Sequence, residues 1–437
     1  MGYKVLVIGS GGREHALAWK LAESPSVEKV YIAPGNGGTR NVGENVPIVV
    51  SSEDSIVKIA QFVDEKNIDF TVVGPELPLA LGIVDIFKAW SLPIWGPTCA
   101  AAEIEASKAY AKHLMRDAGV ATSAFRVFHS YDEAWLSLPL EKLPFVLKAS
   151  GLASGKGVFP CATYEEVEEA LLRIADLPRP YAYADRKIIA EEFLQGTEFS
   201  VHALSDGTHT EFFPLSQDHK RVNDGDKGEN TGGMGAIAPL PHHGAENVLA
   251  RMKNEIVTPL LATLRHRGSP FVGCFYPGIM MTDNGPFVLE VNARMGDPET
   301  QAYMMLLESD LFSALYACAR GDLRSVTPLS WRKGYAVCVV LASIGYPNKC
   351  EVGFPIKGVK NAERLNDVVV FHAGTAWSKE EGLRTSGGRV LGVTAFGKTV
   401  QDAIGAAYEA VKRISFTGMH YRRDIGVKAH RVVIGEE

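Results

Sequence analysis

Long hydrophobic runs are missing from this sequence: no apolar stretch approaches the ~18 residues that span a bilayer. Nor does the chain open on a secretion signal, because Met1 leads straight into the strand-like KVLVIG with no basic region before an apolar one. Met1-Gly2 would suit myristoylation, but Leu6 stands where Ser or Thr is needed. Cysteine is sparse: the six (Cys99, Cys161, Cys274, Cys318, Cys338 and Cys350) make no CxxC unit. That spacing argues against a disulfide scaffold or a structural zinc site and for a reduced compartment. No excess of positive charge exists either, with 45 basic against 51 acidic residues and a net charge of −6. Broad electrostatic binding to nucleic acid or an anionic membrane is therefore not expected. GxSxG and Cys–His signatures are lacking, so no nucleophilic triad is indicated, and no internal repeat recurs at a fixed period. These absences predict a cytoplasmic protein that acts on small molecules.

What is present is an ordinary globular balance, 46% hydrophobic and 22% charged over 437 residues, enough for two to four domains. Residues 1–104 alternate strands and helices: KVLVIG (4–9), KVYIAPG (29–35), DFTVVGPE (69–76) and LPIWGP (92–97) read as buried parallel strands. This predicts a doubly wound α/β domain, with ligands gathered at the strands' carboxyl ends: Gly9–Arg13, Gly35–Gly38 and Gly74–Glu76. Residues 105–330 form a second region. It holds a helix over 105–122, a small α/β unit around 123–190, and a glycine-rich loop over 225–236. From 331 to 437 the pattern restarts as a third, strand-rich α+β domain.

Five strings carry candidate chemistry. GSGGRE (9–14) nearly matches GxGxxG, but Glu14 replaces the last glycine; the loop still suits an anion, with Arg13 adding charge. KASGLASGKG (148–157) fails the Walker spacing, yet Lys148 and Lys156 bracket a loop able to close over a triphosphate. In EEFLQGTE (191–198) the backbone of Phe193 and Leu194 could meet an adenine edge, and Glu198 the ribose hydroxyls. FVLEVNARMGDPETQ (287–301) is the most informative. Period-2 spacing puts Glu290, Asn292 and Arg294 on one face, an oxygen donor set for Mg²⁺ beside a guanidinium for a moving phosphoryl group. In QDHKR (217–221), Lys220 and Arg221 could hold an anion and Asp218 an amine. Pro241-His242-His243 reads as an exposed turn.

The order of these strings, with PGNGGT, VVGPELPLALGIVD, NTGGMGA, VFHAGT, TSGGRVLGVTA and YRRDIG, resembles the ATP-grasp superfamily. Within it the chain is similar, over essentially its whole length, to the glycinamide ribonucleotide synthetase family. The resemblance implies a two-lobed ATP-grasp region between the first and third domains. It implies ligation of glycine to 5-phosphoribosylamine through glycyl phosphate, with ATP and Mg²⁺, or Mn²⁺, as cofactors. On that resemblance Glu290 and Asn292 would hold metal. Lys108, Lys148 and Lys156 would offset triphosphate charge, and Glu191, Leu194 and Glu198 would hold adenosine. Arg294 would stay with the phosphoryl group, Asp218 would meet glycine's amine, and Lys220 would join them in catalysis. Gly11, Gly12, Arg13, Gly35, Asn36 and Gly37 would hold the sugar phosphate, with Glu76 near the ribose and Asp297 contacting substrate. The loop 151–157 and its flanking unit would be the lid. The chain would work as a monomer or a homodimer. Ser150 departs from the family's usual Asp, as do Val291, Met295 and Ile344 from its usual residues; Ser150 bears on lid movement. Three other readings remain open at this point: another ATP-grasp ligase or carboxylase, a dinucleotide-dependent oxidoreductase resting on GSGGRE alone, and a catalytically silent nucleotide-binding sensor, against which the full set of charges argues.

Overall fold

The computed structural model describes residues 2–153, 157–177, 187–240, 245–427 and 429. Lys156 and Pro241-His242-His243 lie outside the described residues. Strands β1 (Tyr3–Gly9), β2 (Val27–Pro34), β3 (Glu44–Asn45), β4 (Phe70–Val73) and β5 (Ile94–Trp95) form one parallel sheet in the order 3-2-1-4-5. The apolar run of β1 serves two cores at once. Leu6 and Ile8 join Ile56, Ile59, Val63 and Phe87 of one cluster, while Val5 and Val7 join Leu17, Leu21, Phe312 and Leu315 of the other. That alternation follows from the strand's period of two, and helices on both faces explain why the run has no polar side.

The small unit is a four-stranded antiparallel sheet of β6 (Phe125–Phe128), β7 (Phe145–Ala149), β8 (Val158–Cys161) and β9 (Ile188–Glu192), ordered 6-9-7-8. It has its own core, including Phe128, Leu147, Val167 and Leu171. Before it, the single helix expected over 105–122 is two helices, Cys99–Ala106 and Lys108–Asp117. Ser107 breaks the run because its side chain accepts the Tyr110 N–H as a helix cap. Ser150 completes the junction: its carbonyl accepts Lys108 N at 2.8 Å and its hydroxyl accepts Ala109 N at 3.0 Å.

The second lobe is built on β10 (Thr197–Ser200), β11 (Ala203–Asp206) and β12 (Thr210–Phe212). Next come β13 (Gln217–Asp218), the hairpin of β14 (Arg221–Asn223) and β15 (Lys227–Asn230), β16 (Gly235–Ala238), β17 (Val272–Thr282) and β18 (Gly285–Asn292). β17 is central, pairing with β10, β11 and β18. The expected loop over 225–236 is thus mostly ordered as hairpin and strand, a correction to the sequence reading. Its glycines mask a short strand pattern that propensity alone does not register.

The remaining strands are β19 (Tyr335–Ala342), β20 (Val368–His372), β21 (Thr375–Ser378), β22 (Gly382–Thr385) and β23 (Arg389–Gly397). They do not make a self-contained sheet. The order is 13-16-19-23-20, so two strands from the central region complete the C-terminal sheet. No helix among the described residues is long and apolar enough to cross a membrane.

Candidate active site

The cleft collects three groups of charge. At the hinge, the Oε2 of Glu191 on β9 receives Lys148 of β7 at 3.0 Å, Lys112 at 2.9 Å and the Ser123 hydroxyl at 2.8 Å. The lysines and glutamate are almost fully buried. Glu191 is therefore a carboxylate whose Oε2 aims lysines, while its Oε1 is buried with no hydrogen-bond partner among the described residues. Burial lowers Lys112 to about 8, partly offset by Glu191. Lys112 was missed in the sequence, although it sits four residues after Lys108, one helical turn on. Lys108 Nζ donates to the Gly151 carbonyl at 3.1 Å, so it holds the start of the glycine loop. Leu194 is half-buried just beyond β9, beside the exposed Phe193.

The second group is on β18. Between Val288 and Glu290 the register with β17 shifts, and Leu289 is the bulged residue. A bulge re-aims its neighbours, and the freed Leu289 carbonyl accepts Lys148 Nζ at 3.2 Å. Lys220 Nζ lies 3.1 Å from Glu290 and 2.7 Å from Glu198. Lys220 holds the Glu290 carboxyl far below its usual range against burial, with Lys148 and Lys108 adding to the effect. Burial opposes the charge of Lys220 itself, but Glu198 and Glu290 outweigh it. Asn292 accepts Arg294 Nη2 at 3.1 Å, and Arg294 reaches Glu105 at 3.0 Å and Glu76 at 3.5 Å. Glu105 has no sequence signal; it also accepts the Ala293 N–H at 2.7 Å, so it fixes the backbone and the guanidinium together.

The third group joins the first domain to the others. Arg13 is buried, with Nε on Glu14 at 2.5 Å and Nη1 on the Met295 carbonyl at 3.1 Å. Glu14 also accepts Gly11 N–H at 2.6 Å. A Cβ on Gly9 or Gly74 would overlap the Glu14 side chain, and one on Gly11 would come within 2.7 Å of it. These glycines make room for a glutamate, which answers why GSGGRE departs from the dinucleotide fingerprint. A Cβ on Gly12 would lie 2.5 Å from Gln301, whose amide donates to Asp297 at 2.7 Å. In the PGNGG loop, Asn36 Nδ2 donates to Ser10 O and His372 O, and its Oδ1 accepts Gly38 N and Thr39 N. The N–H groups of Gly35, Asn36 and Gly37 go to Gly9 O, Thr39 Oγ1 and Thr375 O. That loop is a wall whose donors serve the protein itself. It borders a cavity of 550 Å³ that includes Arg40 and Trp377.

Asp218 sits at the far end, its Oδ1 accepting His219 N–H at 2.7 Å. Burial pushes its carboxyl well up, and Glu299 adds to the effect. Glu299 accepts from Tyr276 OH at 2.6 Å and Ser200 OH at 2.9 Å, two donors the sequence reading did not pick out.

A two-stranded-lobe cleft with hinge lysines, a carboxylate–amide–guanidinium row and a small antiparallel unit above it defines an ATP-grasp enzyme, which uses ATP. Models of the phosphoribosylglycinamide synthetase N domain, ATP-grasp (A) domain and C domain match residues 3–105, 106–300 and 336–428. The chain belongs to the phosphoribosylglycinamide synthetase family. Curated relatives named phosphoribosylamine–glycine ligase include one from Rhodopirellula baltica, 43% identical over 98% of each chain, and one from Synechocystis, 46% identical over 98% of this chain and all of the relative. The crystal structure of phosphoribosylamine–glycine ligase from Thermotoga maritima is 32% identical, with a TM-score of 0.78 over 96% of this chain and 99% of that one. A biotin carboxylase from Campylobacter jejuni shares the fold at 13% identity, TM-score 0.72, over 97% of this chain and 94% of that one.

Proposed function

We propose that the protein joins glycine to 5-phosphoribosylamine at the expense of ATP, giving glycinamide ribonucleotide, ADP and phosphate in purine biosynthesis. The observation that carries this reading is the set of cations around Glu290 and Asn292, on a chain that matches its ligase relatives from end to end. The division into residues 1–104, 105–330 (lid about 123–190) and 331–437 belongs to the proposal, as do the soluble, cytoplasmic setting and the small-molecule partners.

The reaction needs a carboxylate oxygen of glycine to attack the γ-phosphorus in line while the bond to the ADP oxygen breaks. The amine of phosphoribosylamine then attacks the acyl carbon; phosphate leaves and the amine proton is lost. Positioning and charge neutralisation are the work of the protein in such transfers. Lys148, set by Glu191 and Lys112, and Lys108 supply positive charge along the phosphates. Arg294, fixed by Glu76 and Glu105, stays with the phosphoryl group as it moves. Lys220 keeps Glu290 ionised and joins the anionic end of the site. Asp218 takes glycine's ammonium, with Glu299 close in its field. Leu194 and the exposed Phe193 offer an apolar edge to adenine.

Mg²⁺ fits the donors present. It needs only one or two protein oxygens when phosphates supply the rest, and Glu290 is an ionised carboxylate two residues from the Asn292 amide oxygen. Bound there, it would neutralise phosphate charge. Acyl phosphates hydrolyse readily, so closure of the unit over 123–190 would exclude water.

The test is ADP release with ATP and Mg²⁺, adding glycine and fresh phosphoribosylamine separately and together. Turnover only with both is expected. Turnover with bicarbonate in place of glycine would overturn the reading in favour of a carboxylase.

A further inference from the structure

Arg389 opens β23 in the C-terminal sheet, yet its side chain ends in the cleft. Nη1 donates to the Gly232 carbonyl at 2.6 Å and to the Asp297 carbonyl at 2.7 Å, and Nη2 lies 3.3 Å from the Asp297 carboxylate. The backbone behind it is pinned: its carbonyl accepts Gly374 N–H at 2.8 Å, and its register partner is Ala342 of β19. Gly232 is held from a second side by Tyr346, whose hydroxyl accepts its N–H at 3.0 Å.

The residue next to Gly232 makes this contact matter. A Cβ on Gly233 would stand 2.5 Å from Pro298 and 2.7 Å from the Asp218 carboxylate. Gly233 is therefore packed between the proposed ammonium-binding carboxylate and the turn that carries Glu299. Asp297 lies against the first domain too: a Cβ on Gly11 would meet its Oδ2 at 3.2 Å. One planar fork thus fixes the spacing of two loops that carry substrate-facing groups. A guanidinium suits this, since its donors are rigid and several, whereas an ammonium is a single point.

We propose that Arg389 is a positioning residue that locks the 231–234 loop to the 296–299 turn, and so sets the glycine pocket between Asp218 and Glu299. This rests on the ligase reading. It makes the C-terminal sheet part of the glycine site without placing any of its atoms on the reacting groups.

The experiment is initial-rate kinetics of Arg389→Met and Arg389→Lys, varying each substrate in turn, with thermal melting alongside. Misplacing a reacting group by about 1 Å can cost about 100-fold. Arg389→Met should therefore lose about that factor in kcat/KM for glycine while KM for ATP stays near wild type. Arg389→Lys should recover only part of the loss. Gly232→Ala is the second variant: it keeps Arg389, but its Cβ would sit 3.2 Å from the guanidinium carbon. It should shift glycine in the same direction even if Arg389→Met fails to fold. A rise in KM confined to phosphoribosylamine would mean direct contact with that substrate and would overturn the positioning role. So would equal loss for all three substrates, or unchanged kinetics. Wild-type protein lacking glycine-dependent turnover would instead sink the ligase reading, independently of these variants.

Discussion

Lys112 and Glu191 meet at 2.9 Å inside the hinge, tying the helix before the small antiparallel unit to the last strand of that unit. The same carboxylate oxygen holds Lys148. Breaking one member of a buried ionic cluster typically costs about 3–5 kcal/mol, because a charge is left uncompensated. Here Lys148 remains, so Lys112→Met should destabilise at the lower end, about 3 kcal/mol, by urea unfolding. It should also raise KM for ATP through a less fixed Lys148. Wild-type stability and KM would remove Lys112 from the site.

Glu290→Gln keeps shape and loses charge. Groups one step removed from a metal are worth about 10–100-fold in affinity, so a direct charged ligand should cost at least about 10-fold. The midpoint of a Mg²⁺ titration of ADP formation should rise by that factor. A superimposable titration would exclude Glu290 as a ligand.

Arg13→Ala removes the donors to Glu14 and to the Met295 carbonyl. KM for phosphoribosylamine should rise about tenfold or more, the effect of losing roughly 1.4 kcal/mol of positioning, while KM for ATP stays put. Equal loss of both would mean the contact only holds the domains together.

His15 and His372 pack at the junction of the first and last domains, the His372 N–H donating to His15 Nδ1 at 2.8 Å. Burial lowers His372 to about 4, and burial with the charge of His372 lowers His15 to about 3. The unfolded chain binds these protons near pH 6.5, so between pH 6.5 and about 4 it holds more protons than the fold. Stability is therefore intact above 6.5 and falls as pH drops, by up to about 1.4 kcal/mol per pH unit for each histidine. His372→Gln should flatten that acid limb in chemical denaturation. An unchanged slope would show that His372 carries no such linkage.

Gly38→Ala tests the same junction by volume, since its Cβ would overlap the His372 ring. That ring is buried and held by Thr375 at 3.2 Å, so it has little room to yield. A loss of about 1–3 kcal/mol is expected by overpacking, read as a lower melting temperature. An unshifted melt would mean that the ring moves aside freely.

The first domain was readable because buried parallel strands leave continuous apolar runs, as in Val5–Ile8, and because their carboxyl ends carry glycine. Glu290 and Asn292 share a strand that period could show, but β18 ends at Asn292, so Arg294 reaches the Asn292 amide from the bend beyond it. The bulge at Leu289 was not legible, since a single slipped pair leaves no pattern. Glu105 and Arg389 were invisible as site residues: each acts from another part of the chain, and only tertiary packing brings them in. Glu299 lies within the 287–301 string, but its partners Tyr276 and Ser200 do not, so its role was not legible there. The PGNGG loop, expected to hold the sugar phosphate, shows a different obstacle: the N–H groups of Gly35, Asn36 and Gly37 are already given to Gly9, Thr39 and Thr375. Sequence shows that glycine loops can present N–H groups, not whether the protein has already used them.

Because β16 is hydrogen-bonded to both β13 and β19, the sheet runs across the border that sequence would draw near residue 331. A chain cut there would leave Gly235–Ala238 with an open flank of N–H and C=O groups along a buried, apolar strand. Such a flank invites pairing with other molecules. The N-terminal three-quarters of the protein should therefore not survive as a soluble fragment. Synthesis from the ribosome would have to deliver the last hundred residues before this strand could be sealed.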